Sequence, residues 1–229
     1  MADRLRRDQS LLLFASGAAF LLWMVPVGRL VLLPLVYLNT HIHELCHAVA
    51  AIATGGSVKE ILVFQSGSGV TPVYGGWLTV VASAGYVGSS IVGAAMIFFS
   101  RSERGARATL IVLAVALSLS MVLYVRGDWV GIVSGLAWIA ILVALAKFLK
   151  ASSVIFASQF IGVMQCLNAG YSILTLLKIT AVTEIQSDAA LMQKATMVPA
   201  IVWAVCWAAL SLILLVLTLL RAWNHKPKS

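Results

Sequence analysis

Long apolar stretches separated by short polar connections dominate the chain. Seven of these stretches approach the roughly 20 apolar residues that a membrane-spanning helix needs. They cover residues 10–26, 30–54, 77–99, 107–125, 129–148, 153–177 and 198–221. Backbone polar groups cannot stay unpaired in lipid, so each stretch is predicted to be helical. The pattern therefore predicts an all-α polytopic membrane protein, with about six to seven transmembrane helices in a single domain over residues 1–229.

Residues 57–76 depart from this pattern. β-Branched residues flank a Ser/Gly-rich turn at residues 65–69. They are Val58, Ile61, Val63, Val70 and Val73. Two short β-prone runs around such a turn are typical of a hairpin, and an open strand edge cannot face lipid. The hairpin is expected at the interface, either as an ordered loop that plugs the bundle or as an edge that accepts an extended substrate as an extra strand.

Composition and charge support a membrane protein and narrow its partners. Hydrophobic residues make up 61% of the chain and charged residues only 10%, whereas a soluble domain carries about 25% charged residues. The net charge of +8 lies in short loops and in the basic tail, residues 222–229. This distribution favours contact with the headgroups of a lipid bilayer. Since no aromatic and basic platform is present, we expect no nucleic-acid partner.

A metal-binding pattern, H-E-x-x-H, occupies residues 43–47 in the second apolar stretch. Residues i and i+4 share one face of a helix, so His43 and His47 can bind the same metal ion. Glu44 lies about 100° around the helix from His43, close enough to polarise a metal-bound water. Ionisable groups at membrane depth are costly and therefore indicate function.

Two other side chains near the motif are weaker ligand candidates. His41 points to a different face of the helix, which favours a role behind the ligands or toward the substrate. Cys46 lies three residues after His43, and packing as a small apolar side chain explains it better. Since a catalytic zinc takes three protein ligands and keeps one open position, a third ligand is expected elsewhere in the chain.

The order of membrane crossings limits where that third ligand can lie. Four acidic residues return to the side of the membrane at which the motif-bearing stretch ends: Glu60, Asp128, Glu184 and Asp188. Asp188 stands just before the last apolar stretch, where it could instead be the N-cap of a helix. Asp128 could instead pair with Arg126 at the interface. The crossings alone leave these alternatives open.

An ordered set of short motifs accompanies the H-E-x-x-H sequence over residues 40–210. The set comprises residues 43–51, the sequence Thr54-Gly55-Gly56, residues 67–71, residues 84–88, and Ser187-Asp188-Ala189 leading into Val198-Pro199-Ala200. In this order the motifs resemble the site-2 protease family of intramembrane zinc metallopeptidases. Within that family, they most specifically resemble the compact B-like branch, whose members lack additional domains.

The resemblance implies a function and a set of site residues. It implies one Zn²⁺ per chain held by His43, His47 and Asp188, with Glu44 as the catalytic glutamate. It also implies a transmembrane protein substrate, cut in or near its membrane segment, and a multi-pass location in the cell membrane. Asn168 could orient the substrate backbone, or make a helix–helix hydrogen bond. The alternative is a non-proteolytic membrane scaffold or chaperone that retains the metal site.

Overall fold

A computed structural model of the chain is mostly helical. It describes the backbone of residues 2–23, 25–179 and 187–224, and the side chains of residues 9–22, 25, 27–28, 30–168 and 187–223. The helices are α1 (Ala2–Trp23), α2 (Pro26–Val31), α3 (Leu33–Ala53), α4 (Leu78–Phe99), α5 (Glu103–Leu123), α6 (Trp129–Phe148), α7 (Ala151–Ile179), α8 (Asp188–Thr196) and α9 (Ala200–Asn224). The predicted class is confirmed, and each predicted apolar stretch overlaps one long helix. The short helices α2 and α8 were not predicted.

By length and apolar composition, four of the described helices can cross a membrane, which is fewer than the six to seven predicted. They are α4, α5, α6 and the segment Ala200–Trp223 of α9. In α1 the apolar segment among the described side chains is Gln9–Leu22, and the side chains of residues 2–8 and 23 lie outside the described part of the chain. Helix α3 carries the polar residues of the motif, which lower its hydropathy. For α7, the side chains of residues 169–179 lie outside the described part of the chain.

The connection between α3 and α4 forms a nested hairpin, as its sequence pattern predicts. Strand β1 (Ser57–Val58) pairs antiparallel with β4 (Val73–Tyr74), and β2 (Leu62–Val63) pairs antiparallel with β3 (Gly69–Val70). Two side chains on one face of α3 fasten the turn to that helix. The hydroxyl of Tyr37 donates to the Gln65 carbonyl (2.9 Å), and that of Thr40 donates to the Gly67 carbonyl (2.7 Å).

Helix α3 lies at the centre of the fold. It contacts α4, α5, α6 and α7 as well as all four strands. Apolar residues on one face pack into the main core against α5 and α6, while its polar residues Asn39, His41, His43, Glu44 and His47 are buried. Because buried polar groups need specific partners, the surrounding elements determine what this helix can do.

Candidate metal centre

Three side chains from two distant parts of the chain converge beside α3. The Nε2 atoms of His43 and His47 lie 3.0 Å apart, and Asp188 Oδ2 lies 3.0 Å from the first and 3.3 Å from the second. In a tetrahedral zinc site with bonds of about 2.0–2.1 Å, any two ligand atoms lie about 3.3 Å apart. The observed triangle is close to that size. Two imidazole nitrogens and one carboxylate oxygen are therefore placed so that one ion can contact all three.

A backbone hydrogen bond sets the tautomer of His47. Its Nδ1 lies 2.6 Å from the carbonyl oxygen of Val81 on α4, an oxygen that can only accept. Nδ1 therefore carries a proton, so Nε2, the atom that faces His43 and Asp188, is the nitrogen left to bind a metal ion. Zinc-binding histidines usually donate their other ring N–H to such a carbonyl, which orients the ring and raises its basicity.

Aromatic packing positions the other imidazole. The ring of Tyr86 on α4 meets the His43 ring edge-on, with centroids 4.5 Å apart and planes at 73°. Tyr86 in turn stacks on Trp207 of α9, with centroids 5.5 Å apart and planes at 23°. The stack links α9 through α4 to α3. Sequence reasoning missed this contact, because neither aromatic residue has a spacing that relates it to the motif.

A glycine permits α4 to approach the cluster. A Cβ atom at Gly85 would overlap the imidazole of His43 and the Nε2 atom of His47. Any side chain at this position would therefore occupy the space between the two rings. Gly85 thus forms one wall of the site. Val81 lies one turn earlier on α4 and orients His47, and Tyr86 is the next residue and packs against His43.

We expect Gly85→Ala to weaken zinc binding by about tenfold or more, because the added methyl group must displace one imidazole; disturbed outer contacts of metal ligands typically cost 10- to 100-fold in affinity. The measurement is zinc affinity by competition with a coloured chelator. Gly17→Ala is the matched control, since a Cβ there meets nothing within 4 Å. Equal affinities for the two variants would contradict the role assigned to Gly85.

Glu44 lies under the hairpin. Its side chain is buried, and the hydroxyl of Thr71 donates to its Oε2 atom at 2.7 Å. The backbone of Gly69 passes so close that a Cβ there would lie 2.6 Å from Glu44 Oε1. The hairpin thus holds this carboxylate in one orientation, and β3 is the strand adjacent to it.

The surroundings of Asp188 favour its ionised carboxylate form. Burial by itself raises the pKa of a carboxyl group, but the neighbouring His47 and the hydrogen bonds with both imidazoles outweigh it. The pKa of Asp188 consequently lies well below its ordinary value. A bound cation would act in the same direction, so the side chain is suited to be an anionic ligand.

The sequence model of the Peptidase M50B-like family matches residues 13–218. The chain belongs to this family. The resemblance to the site-2 protease family, seen in its motifs, is thereby confirmed. The comparisons with curated proteins and with solved structures gave no match. Membership in this family and the four helices that can cross a membrane indicate an integral membrane protein of the metallopeptidase class.

In this M50B-like protein the structure separates the two candidate aspartates, since Asp188 joins the clustered side chains and Asp128 does not. Ser187, and not Asp188, is the N-cap of α8, where its Oγ accepts from the helix backbone at 3.2 Å. Asp128 is the N-cap of α6, accepting from the backbone at 3.1 Å. The expected pairing of Asp128 with Arg126 is absent from the described residues, and Arg126 donates to backbone carbonyls at the end of α5 instead.

The other ligand candidates of this M50B-like chain lie outside the cluster. The Nε2 atom of His41 is 3.1 Å from a serine hydroxyl on α6, so its ring points away from the site. Cys46 packs closely against α4. Asn168 is half-buried on α7, and among the described residues no hydrogen bond joins it to the clustered side chains. Glu184 and residues 225–229 of the predicted basic tail lie outside the described residues.

Proposed function

We propose that this protein is an intramembrane zinc metalloprotease that cleaves peptide bonds in or near the transmembrane segments of other membrane proteins. The observation that carries the proposal is the convergence of His43, His47 and Asp188 within 3.3 Å of one another. Glu44, the residue next to the first ligand, supplies a carboxylate at the same place. Membership in a family of metallopeptidases supports the reaction class.

The chain's own residues divide the work of such a site. His43, His47 and Asp188 would hold one zinc ion per chain and leave a fourth position open. A zinc ion supplies Lewis acidity, which activates water near neutral pH and polarises a carbonyl group. Glu44 would accept the proton from the attacking water and deliver it to the leaving amine. The Thr71 hydroxyl keeps the Glu44 carboxylate in place for both transfers.

The depth of the site favours a substrate within the membrane. Trp77 precedes α4 and Trp129 begins α6, and both side chains are about 70% exposed. Tryptophan is enriched at the membrane–water interface. Along α4, Val81 and Gly85 follow Trp77 by one and two turns, which is roughly 6 and 12 Å. The cluster therefore lies deeper in the membrane than these two tryptophans.

We also propose that the protein is located in the cell membrane.

The hairpin offers a route for presenting the substrate. A helix hides its carbonyls in hydrogen bonds, so the scissile region has to become extended before attack. Among the described residues, only one edge of β3 is paired, and its partner is β2. An extended peptide could add along the other edge of β3, which passes Glu44 at Gly69. Asn168 is proposed as a further contact to the substrate backbone.

The experiment is to express the full chain and its His43→Ala variant in membranes, and to map new peptide ends in membrane proteins by mass spectrometry. Because one of three ligands is removed, we expect His43→Ala to lose most of its zinc. We also expect no new peptide ends in membranes that contain this variant. His41→Ala, a buried histidine of the same helix, should keep its zinc. New peptide ends that persist with His43→Ala would contradict the proposal. If the parent protein produces no new ends either, the alternative of a non-proteolytic membrane scaffold or chaperone would be favoured.

A further inference from the structure

A lateral groove lies on the opposite face of α3 from the hairpin. It has a volume of about 760 Å³ and lies between α3, α4 and α5. Its walls are built from small residues that leave room between the helices, among them Ala84, Gly88, Ala95, Gly105, Ala108 and Ala116. At its rim, Val49, Ile91 and Val112 are 55% to 67% exposed. The groove therefore opens sideways, where two helices that can cross a membrane face the lipid.

The groove has a polar end. Phe99, the last residue of α4, and Gly105, in the first turn of α5, line this end. The short connection between the two helices and the first two turns of α5 carry Arg101, Arg104 and Arg107. Arg107 is engaged by Glu103 at 2.7 Å and by backbone carbonyls at the end of α6.

The other two arginines are available to a ligand. Both are exposed. Arg101 uses its Nε to donate to the Phe98 carbonyl and lies over the Phe98 ring, next to the groove residue Phe99. Arg104 has no ion pair or hydrogen bond in the part of the chain that the structure describes. An apolar groove therefore ends beside two cationic side chains whose charge has no acidic partner there.

We propose that this groove binds an anionic phospholipid, with one acyl chain along α4 and α5 and the phosphate at Arg101 and Arg104. From residue 84 to residue 99, α4 provides a wall about 22 Å long, compared with about 15 Å of hydrocarbon in one leaflet. A complete acyl chain therefore fits. Basic residues at the end of a cleft between transmembrane helices are suited to an anionic headgroup.

The two arginines at the polar end favour an anionic phospholipid over a second helix as the occupant. The volume of the groove falls within the range of about 300–1,000 Å³ that is usual for small-molecule sites. The lipid would touch Leu45, Cys46 and Ala50, so it would pack against the same helix that carries His43 and His47.

The test is native mass spectrometry of the full chain in detergent, with added phosphatidylglycerol or phosphatidylcholine of identical acyl chains. We expect phosphatidylglycerol to bind more tightly, and R101Q/R104Q to lower its affinity about thirtyfold, to the level of phosphatidylcholine. The control K59Q/K194Q removes the same charge from the other end of the helices and should bind like the parent. Helicity measured by circular dichroism shows that each variant is folded.

A second variant tests the acyl-chain part of the site. Ala108→Phe fills the groove and should lower the affinity for both lipids at least tenfold, whereas Ala137→Phe, on an exposed position of α6, should not. The proposal is wrong if R101Q/R104Q or Ala108→Phe binds phosphatidylglycerol like the parent. It is also wrong if a cysteine introduced by Ala108→Cys cross-links to another protein segment in membranes, because the groove would then dock protein.

Discussion

Glu44→Gln is expected to abolish cleavage while leaving the metal in place. The amide has the shape of the carboxylate and can still accept the hydrogen bond from Thr71, so the fold and the three ligands are undisturbed. It cannot accept a proton, however, and loss of a general base typically costs at least about 10²-fold in rate. The measurement is kcat on a cleaved membrane substrate, with zinc per chain determined on the same preparation.

This variant separates an enzyme from a scaffold. A membrane scaffold or chaperone that only retains the metal would function equally well with glutamine at this position. Equal turnover by the parent protein and Glu44→Gln would therefore refute the proposed mechanism. Loss of zinc together with activity would show instead that Glu44 supports the ligands, which its buried contact with the hairpin would then explain.

The second large effect is expected at the third ligand. Asp188→Asn should lose zinc and activity while the protein stays folded, because a neutral amide is a poor donor to a divalent ion. The fold should persist because Ser187, and not Asp188, caps α8. The measurements are metal content, helicity by circular dichroism and cleavage, each compared with the parent protein.

Asp128→Asn is the matched control, since it makes the same chemical change at an aspartate that caps α6. Asparagine caps a helix about as well as aspartate, so stability should change by only a few tenths of a kcal/mol at most. Both zinc and activity should be retained. Zinc loss in Asp128→Asn with full zinc in Asp188→Asn would assign the third position to Asp128.

Much of the fold could be predicted from the order of apolar and polar residues. A segment surrounded by lipid has to satisfy its own backbone, so a long apolar run becomes a helix whatever its neighbours are. The hairpin between α3 and α4 followed from its turn and its β-branched flanks for the same local reason. Among the described residues fewer spans are found than run length predicts, because the polar site residues within α3 lower its hydropathy.

Local spacing also determined half of the candidate site. His43 and His47 share a helix face because they are four residues apart, and Glu44 follows from the same geometry. The tertiary structure decided the rest. Asp188 lies 145 positions after His43, and only the packing of α8 against α4 and α9 brings its carboxylate to the imidazoles. The Val81 carbonyl, the bare backbone of Gly85 and the Tyr86–Trp207 stack are likewise contacts between separate elements. Spacing along one helix specifies which residues share a face, whereas the side chains that meet that face depend on how whole helices pack.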